Sequence, residues 1–240
     1  MLPFKHGGRY VQGIPFSRIQ HLYYFDSQLR NLCLSVIEQI EHYCRTLFAR
    51  EFVNHHGPLG YTFPVNFSKT HDHTRFLNKL SEYKKRNKRS LVVQHHMTQY
   101  AGDFPLWVMI EFFSISDLSY FYSDMLTPAQ KSTAAVYNTS VACLKSWMRC
   151  VSELRNRCAH FSRLYFLTFP SIPKLPSTVK FVSDRTLFSQ MLMLSLLYPD
   201  ALEWNNTVLV NLETLINNFS NDISLSHIVF PPNWKQLLTR

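Results

Sequence analysis

The sequence of 240 residues predicts an all-α fold, and three observations lead to this prediction. Apolar residues recur at helical spacing along several long segments. The chain has only 6 glycines, few for a β-rich fold built on tight turns. Hydrophobic residues make up 46% of the chain and aromatic residues 15%, which is ample material for a core. We therefore expect one large helical domain, or one domain with an appended segment.

The first half of the chain is predicted to begin with an irregular segment, residues 1–16, which contains glycine and proline breakers. Ser17 can cap the long helix that follows and that ends near Asn54. Its apolar residues share one stripe, which is typical of a scaffold helix. After a loop, further helices are predicted over residues 70–88, 91–101 and 105–111, then from a Ser116 cap to Met125, and from a Thr127 cap with Pro128 at the first helical position to about Tyr137.

The second half is organised around a helix predicted over residues 140–163. A connector with three prolines, Thr168 to Ser177, separates this helix from two more over 184–197 and 200–219, and Trp234 is expected to dock on the body. The chain is thus divided into a helical core over 1–167 and a connector with C-terminal helices over 168–240 that pack on the core. The apolar stripe of the central helix consists of Val141, Leu144, Trp147, Met148, Val151, Leu154 and Cys158.

The charge balance favours an anionic partner. The formal net charge is +9, from 25 Lys+Arg against 16 Asp+Glu, and nucleic acid is the leading candidate. Ordinary solubilising charge is the alternative. The densest basic run is KKRNKR, which could contact RNA phosphates or could simply be a solvated face. Its basic residues are Lys84, Lys85, Arg86, Lys88 and Arg89.

The remaining composition argues against several other classes of protein. The five cysteines are odd in number, lack a CxxC pair and follow no signal peptide, so they are predicted to be reduced thiols. The longest apolar runs are too short to span a bilayer. We therefore expect a soluble cytoplasmic protein with no membrane partner. Zinc spacing, a glycine-rich phosphate loop and a flanked nucleophile are all missing from the sequence, so we expect neither a metal nor a cofactor.

The candidate catalytic residues lie within Val151 to Tyr165, VSELRNRCAHFSRLY. Asn156 and His160 are four positions apart and share a helix face, on which His160 points away from the apolar stripe. Histidine can carry a proton near neutral pH and arginine can bind phosphate oxygens, which suits attack by an RNA 2′-OH without a metal. Arg155 and His160 are thus predicted to be catalytic, Asn156 to support them, and Arg163 to contact phosphate. Alternatively, Arg155 and Asn156 only cap the helix and His160 is a bystander.

The segment ELRNRCAHFSRLY resembles the C-terminal motif of the abortive-infection (Abi, AbiD/AbiF-like) family, a branch of the HEPN helical ribonucleases. Three other stretches resemble the same family in order: FSRIQHLYYFDSQLR with IEQIEHYCR, then HHMTQYAGDFPLWVMIEFFSISDLS, then VFPPNWK. The chain departs from the family pattern at Phe161 and Phe166, where relatives often have a polar residue and Asn, and at Ser116, where Gly is common. Relatives also usually carry helices ahead of Met1, so this chain is expected to be N-terminally short.

This resemblance implies a HEPN-like helical bundle with additional C-terminal helices and an RNxxxH motif at Arg155, Asn156 and His160. It also implies a metal-independent endoribonuclease that acts as a toxin-like effector of bacterial anti-phage defence. Because one chain offers one histidine where acid and base roles suggest two, we expect a symmetric homodimer, with RNA and a possible antitoxin as partners. Two alternatives stay open: a non-catalytic RNA-binding or regulatory scaffold, and a protein-interaction bundle without RNA.

Overall fold

The computed structural model describes residues 5–6, 9–10, 13 and 15–240. Its architecture is all-α, as the sequence predicts. A short antiparallel pair of strands, β1 (Lys5–His6) and β2 (Arg9–Tyr10), precedes the helices and pairs Lys5 with Tyr10. This pair lies in the segment that was predicted to be irregular, and that prediction is wrong at these four residues.

The helices follow the predicted order, and most are shorter than predicted, but the first helix, Phe16–His56, extends beyond both of its predicted ends. The backbone forms a π turn over Trp204–Val208, so the helix predicted over 200–219 is interrupted. Short 3₁₀ turns occupy Gly60–Thr62, Pro64–Asn66, Ile110–Phe112 and Leu225–His227. The helices are α1 (Phe16–His56), α2 (His73–Arg86), α3 (Leu91–Gln99), α4 (Leu106–Met109), α5 (Ile115–Asp124), α6 (Thr127–Val136), α7 (Val141–Ala159), α8 (Leu187–Leu197), α9 (Ala201–Glu203), α10 (Leu209–Asn218) and α11 (Trp234–Leu238).

Three of the predicted helix caps are wrong by one or two positions. Ser17 is not the cap of α1, because the helix begins at Phe16 and Ser17 is already helical. Helix α5 is capped by Ser114 and not by Ser116, because Ser114 and Asp117 form a capping box. The Asp117 carboxylate accepts from the Ser114 N–H at 2.9 Å, and the Ser114 hydroxyl accepts from the Asp117 N–H at 3.3 Å. Helix α6 has Leu126 at its N-cap, so Thr127 is already helical.

The chain divides into two compact units, residues 1–40 with 149–240 and residues 41–148. The first unit holds the end of α7 and all of the C-terminal helices. Its core includes Phe25, whose ring centroid lies 5.9 Å from that of Tyr165 and 5.7 Å from that of Phe219. Trp234 is buried, as predicted, and its ring lies 5.7 Å from that of Phe230.

The second unit is built around aromatic side chains. Phe48 stacks on Tyr122 with ring centroids 5.1 Å apart, and Phe52 lies 5.2 Å from Phe121. The buried Tyr61 hydroxyl is paired, since it donates to the Phe104 carbonyl at 2.6 Å. These contacts explain why so aromatic a sequence folds without large sheets, since the rings fill the spaces between short helices.

The five cysteines are all free and buried. Burial raises the pKa of Cys44 and of Cys150 to about 12, so both thiols stay protonated at neutral pH. Across residues 15–240, none of the helices combines the length and apolar character needed to cross a membrane. The same residues contain no group of three or more histidine, cysteine or acidic side chains placed to hold a metal ion.

Candidate functional site

Helix α7 presents its predicted apolar stripe to the interior. Leu144, Trp147, Val151 and Leu154 are fully buried. Cys158, the penultimate residue of the helix, is also buried. Because the stripe is anchored through this last turn, the residues between its positions are held at fixed angles around the helix.

The helix ends at Ala159, four residues earlier than predicted, in a Schellman turn. Phe161 adopts the left-handed conformation with a φ of 55°, which no helix can continue. The Phe161 N–H donates to the Cys158 carbonyl at 3.2 Å and the Ser162 N–H to the Arg157 carbonyl at 2.9 Å. The terminal carbonyls are therefore satisfied by the backbone itself.

The three candidate catalytic residues lie on and just beyond this last turn. Arg155 is half-buried, Asn156 is exposed, and His160 is exposed at the C-cap position, where its N–H donates to the Asn156 carbonyl at 3.0 Å. Among residues 15–240, their side chains form no hydrogen bond or ion pair. Since the backbone already caps the helix, these side chains are not needed for capping. They remain available to a ligand.

The segment after His160 is fixed by a buried carboxylate that the sequence analysis missed. Asp26 on α1 accepts from the backbone N–H groups of Leu164 at 2.8 Å and Tyr165 at 2.7 Å. Its other oxygen accepts from Arg30, one turn along α1. Both side chains of this ion pair are almost completely buried. The sequence did contain a signal for this ion pair, because an acidic and a basic residue stand four positions apart within the apolar stripe of the helix.

Burial raises the pKa of Asp26, although Leu164, Tyr165, Arg30 and the nearby Arg163 all favour its ionised form. The positive charge of Arg163 is thus close to a buried carboxylate, which lessens its expected contribution to phosphate binding. Arg163 lies three residues past His160, in the turn that Asp26 anchors. It is half-buried, whereas His160 is exposed.

The basic run Lys84 to Arg89 belongs to the second unit and is only partly available. The Lys84 ammonium donates to the Gly102 carbonyl at 3.0 Å and lies 4.4 Å from the centre of the Phe104 ring. Burial lowers the pKa of Lys84, as expected for a cation held against apolar surface. Arg86 pairs with Glu82 at 3.3 Å. The exposed side chains of the run that have no partner within residues 15–240 are those of Lys85, Lys88 and Arg89.

The second unit also contains a cavity of about 390 Å³ between α2 and α5, which the sequence did not predict. Its buried carboxylate, Asp117, accepts from Lys79 and from the Tyr83 hydroxyl at 2.5 Å. Asp124, at the other end, is 2.8 Å from the Nδ1 of His71. Both carboxylates are paired within the unit: Asp117 joins α5 to α2, and Asp124 joins α5 to the segment before α2.

Fold and site together define the class of this protein: an all-α protein with Arg, Asn and His side chains exposed or half-exposed at the end of an amphipathic helix. The chain belongs to the Abi-like protein family, whose model matches residues 1–166. That match includes Arg155, Asn156 and His160, and membership suggests a role in abortive infection. Comparison with curated proteins and with solved structures found no match.

Proposed function

We propose that this protein is a metal-independent endoribonuclease of the HEPN type, AbiD/AbiF-like, and a cytoplasmic toxin-like effector of anti-phage defence. The observation that carries the proposal is the unpaired state of its RNxxxH side chains. Arg155, Asn156 and His160 make no side-chain bond within residues 15–240, while the backbone caps the helix. If the motif had only a structural role, we would expect its polar side chains to be hydrogen-bonded within the protein, because that is how polar side chains contribute to stability.

The proposed chemistry assigns one task to each side chain. His160 takes the proton of the attacking 2′-OH or delivers a proton to the leaving oxygen, since an imidazole can act as a general base or a general acid. Arg155 stabilises the negative charge that builds up on the phosphate, because its guanidinium is always ionised. Asn156 shares the face of His160 and can bind the same phosphate or orient the imidazole. RNA needs nothing further, since its own 2′-OH is the nucleophile.

The acid and base roles require two histidines, and this chain supplies one in the motif. We therefore propose a symmetric homodimer in which two copies of the end of α7 face each other across the two-fold axis. An antitoxin, either a protein or an RNA, would silence such an enzyme by covering this surface. The competing proposal is a non-catalytic RNA-binding scaffold that uses the same basic residues. Cleavage assays separate the two.

Subunit mixing tests the shared site. When His160→Ala and Arg155→Ala chains are co-expressed, the mixed dimers should cleave RNA no better than either variant alone, because neither composite site then has both histidines and both arginines. The measurement is cleavage of a labelled RNA by purified mixed dimers. Recovery to about half of the wild-type rate would show instead that each site uses Arg155 of one subunit and His160 of the other, because one of the two sites in a mixed dimer then keeps both groups.

A mixture of wild-type and His160→Ala chains provides the control. If a site needs both histidines, equal mixing should reduce activity to about a quarter, since only wild-type dimers are active. Independent sites would retain about half. A chain that remains monomeric on RNA and still cleaves at the full rate would eliminate the shared site.

Salt dependence tests the basic run. Replacing Lys88 and Arg89 by alanine should reduce the slope of log affinity against log salt by about 0.7 for each phosphate of single-stranded RNA that the protein no longer neutralises. The matched control is Lys69→Ala with Lys131→Ala, which removes the same charge from two other exposed positions. Equal effects of the two double variants would mean that the run only adds to the net charge of the protein.

A further inference from the structure

Phe161 occupies a position that costs stability without an evident structural return. Its φ of 55° lies in the left-handed region, and this position of a Schellman turn is usually glycine. Phe161 is 83% exposed, and its ring stacks on no other aromatic ring among residues 15–240. Burial therefore does not offset the strain. Glycine would satisfy the turn with less strain. A non-glycine residue held at a positive φ, with too little burial to offset the strain, suggests a functional role.

We propose that Phe161 forms a nucleobase-binding subsite, a stacking platform for an unpaired base next to the phosphate that His160 and Arg155 act on. The inference rests on the proposed function and adds to it a residue outside the RNxxxH motif. Phe161 follows His160 directly, so its ring stands one residue from the proposed reaction centre. Aromatic rings bind bases of any sequence, since every base has a π face.

The charge of the surrounding segment favours a nucleic acid over a protein partner. From Leu154 to Ser183 the chain has no Asp or Glu, and its charged residues are Arg155, Arg157, Arg163, Lys174 and Lys180. An exposed ring within a stretch of purely positive charge combines the two features of single-strand binding surfaces, stacking and attraction of phosphates.

The platform is also held rigidly. Asp26 binds the backbone at Leu164 and Tyr165, and Phe166 beyond them is again left-handed, with a φ of 62°, and 38% exposed. The ring of Phe166 lies 4.8 Å from that of His227, so this second phenylalanine is partly supported by the body. Phe161 therefore projects from a turn that is fixed on both sides, by α7 and by the Asp26 anchor. Because the backbone that carries the ring is already fixed, only the side-chain rotations of Phe161 lose freedom when a base stacks on it.

The test is Phe161→Gly, which removes the ring and the backbone strain together. We expect the melting temperature to rise by a few degrees, while affinity for a short unstructured oligoribonucleotide, measured in the His160→Ala background, should fall about ten- to hundred-fold. Phe161→Trp should keep the affinity. Val229→Gly is the matched control, because Val229 is also exposed and left-handed, with a φ of 54°. It should gain stability with no change in affinity.

The outcomes separate this subsite from the proposed function. If wild-type protein cleaves RNA and Phe161→Gly binds and cleaves equally well, the subsite is wrong and the ribonuclease stands. If wild-type protein cleaves no RNA, the proposed function fails, and the affinity comparison alone then decides the subsite. If Phe161→Gly lowers the affinity for a complementary duplex as much as for the single strand, the ring does not bind unpaired bases. A loss of dimers in Phe161→Gly without loss of affinity would make Phe161 a contact between two copies of the chain.

Discussion

His160→Ala should lower the rate of RNA cleavage by about 10²- to 10⁴-fold, the range expected for loss of a general acid or base. The melting temperature should barely change, because the imidazole is exposed and has no partner among residues 15–240. The measurements are single-turnover cleavage of a labelled RNA and a thermal melt of the same sample.

His42→Ala is the matched control for this experiment, since His42 is also exposed and lies on α1, outside the RNxxxH motif. It should cleave at the wild-type rate. Activity should survive EDTA and leave 2′,3′-cyclic phosphate ends, because the proposed attacking group is the RNA 2′-OH. A His160→Ala protein that cuts RNA as fast as the parent would show that this histidine is not catalytic, and loss of activity with EDTA would point to a metal mechanism.

Asp26→Asn should destabilise the protein by about 3–5 kcal/mol, the usual cost of removing one partner of a buried ion pair. The burial that raises the pKa of Asp26 means that the pair itself adds little net stability. The loss arises because Arg30 is left buried without a counter-charge and faces the amide N–H group of the new side chain. Chemical denaturation of wild type and variant gives the difference in free energy of unfolding.

Glu82→Gln is the matched control, since Glu82 and Arg86 also form an ion pair four residues apart on a helix, but both are largely exposed. It should change stability by less than about 1 kcal/mol. Adding Arg30→Met to Asp26→Asn should recover part of the loss, because the Asn oxygen can still accept from Leu164 and Tyr165 while the uncompensated charge is gone. If the double variant is no more stable than Asp26→Asn alone, the unpaired arginine is not the cause.

Much of the fold could be predicted from the sequence because helices depend on local periodicity. The stripe of α7, from Leu144 to Cys158, has the spacing of a single buried face, and its members are buried in the structure. The helix ends were less predictable. Ser116 and Thr127 have side chains suited to capping, but Ser114 has the carboxylate of Asp117 three residues on, and that reciprocal pair decides the start of α5.

Periodicity and motif spacing were enough to predict the helical class, the outward position of His160 and the family, since all three depend on the spacing of residues along the sequence. Packing in three dimensions, by contrast, decides which polar side chains are left without a hydrogen-bond partner. Lys84 belongs to the basic run yet is bound to Gly102 and lies over Phe104, and Asp26 has become the anchor of a segment 138 residues away. Such pairings depend on which distant groups folding brings within hydrogen-bonding distance, and periodicity does not encode that.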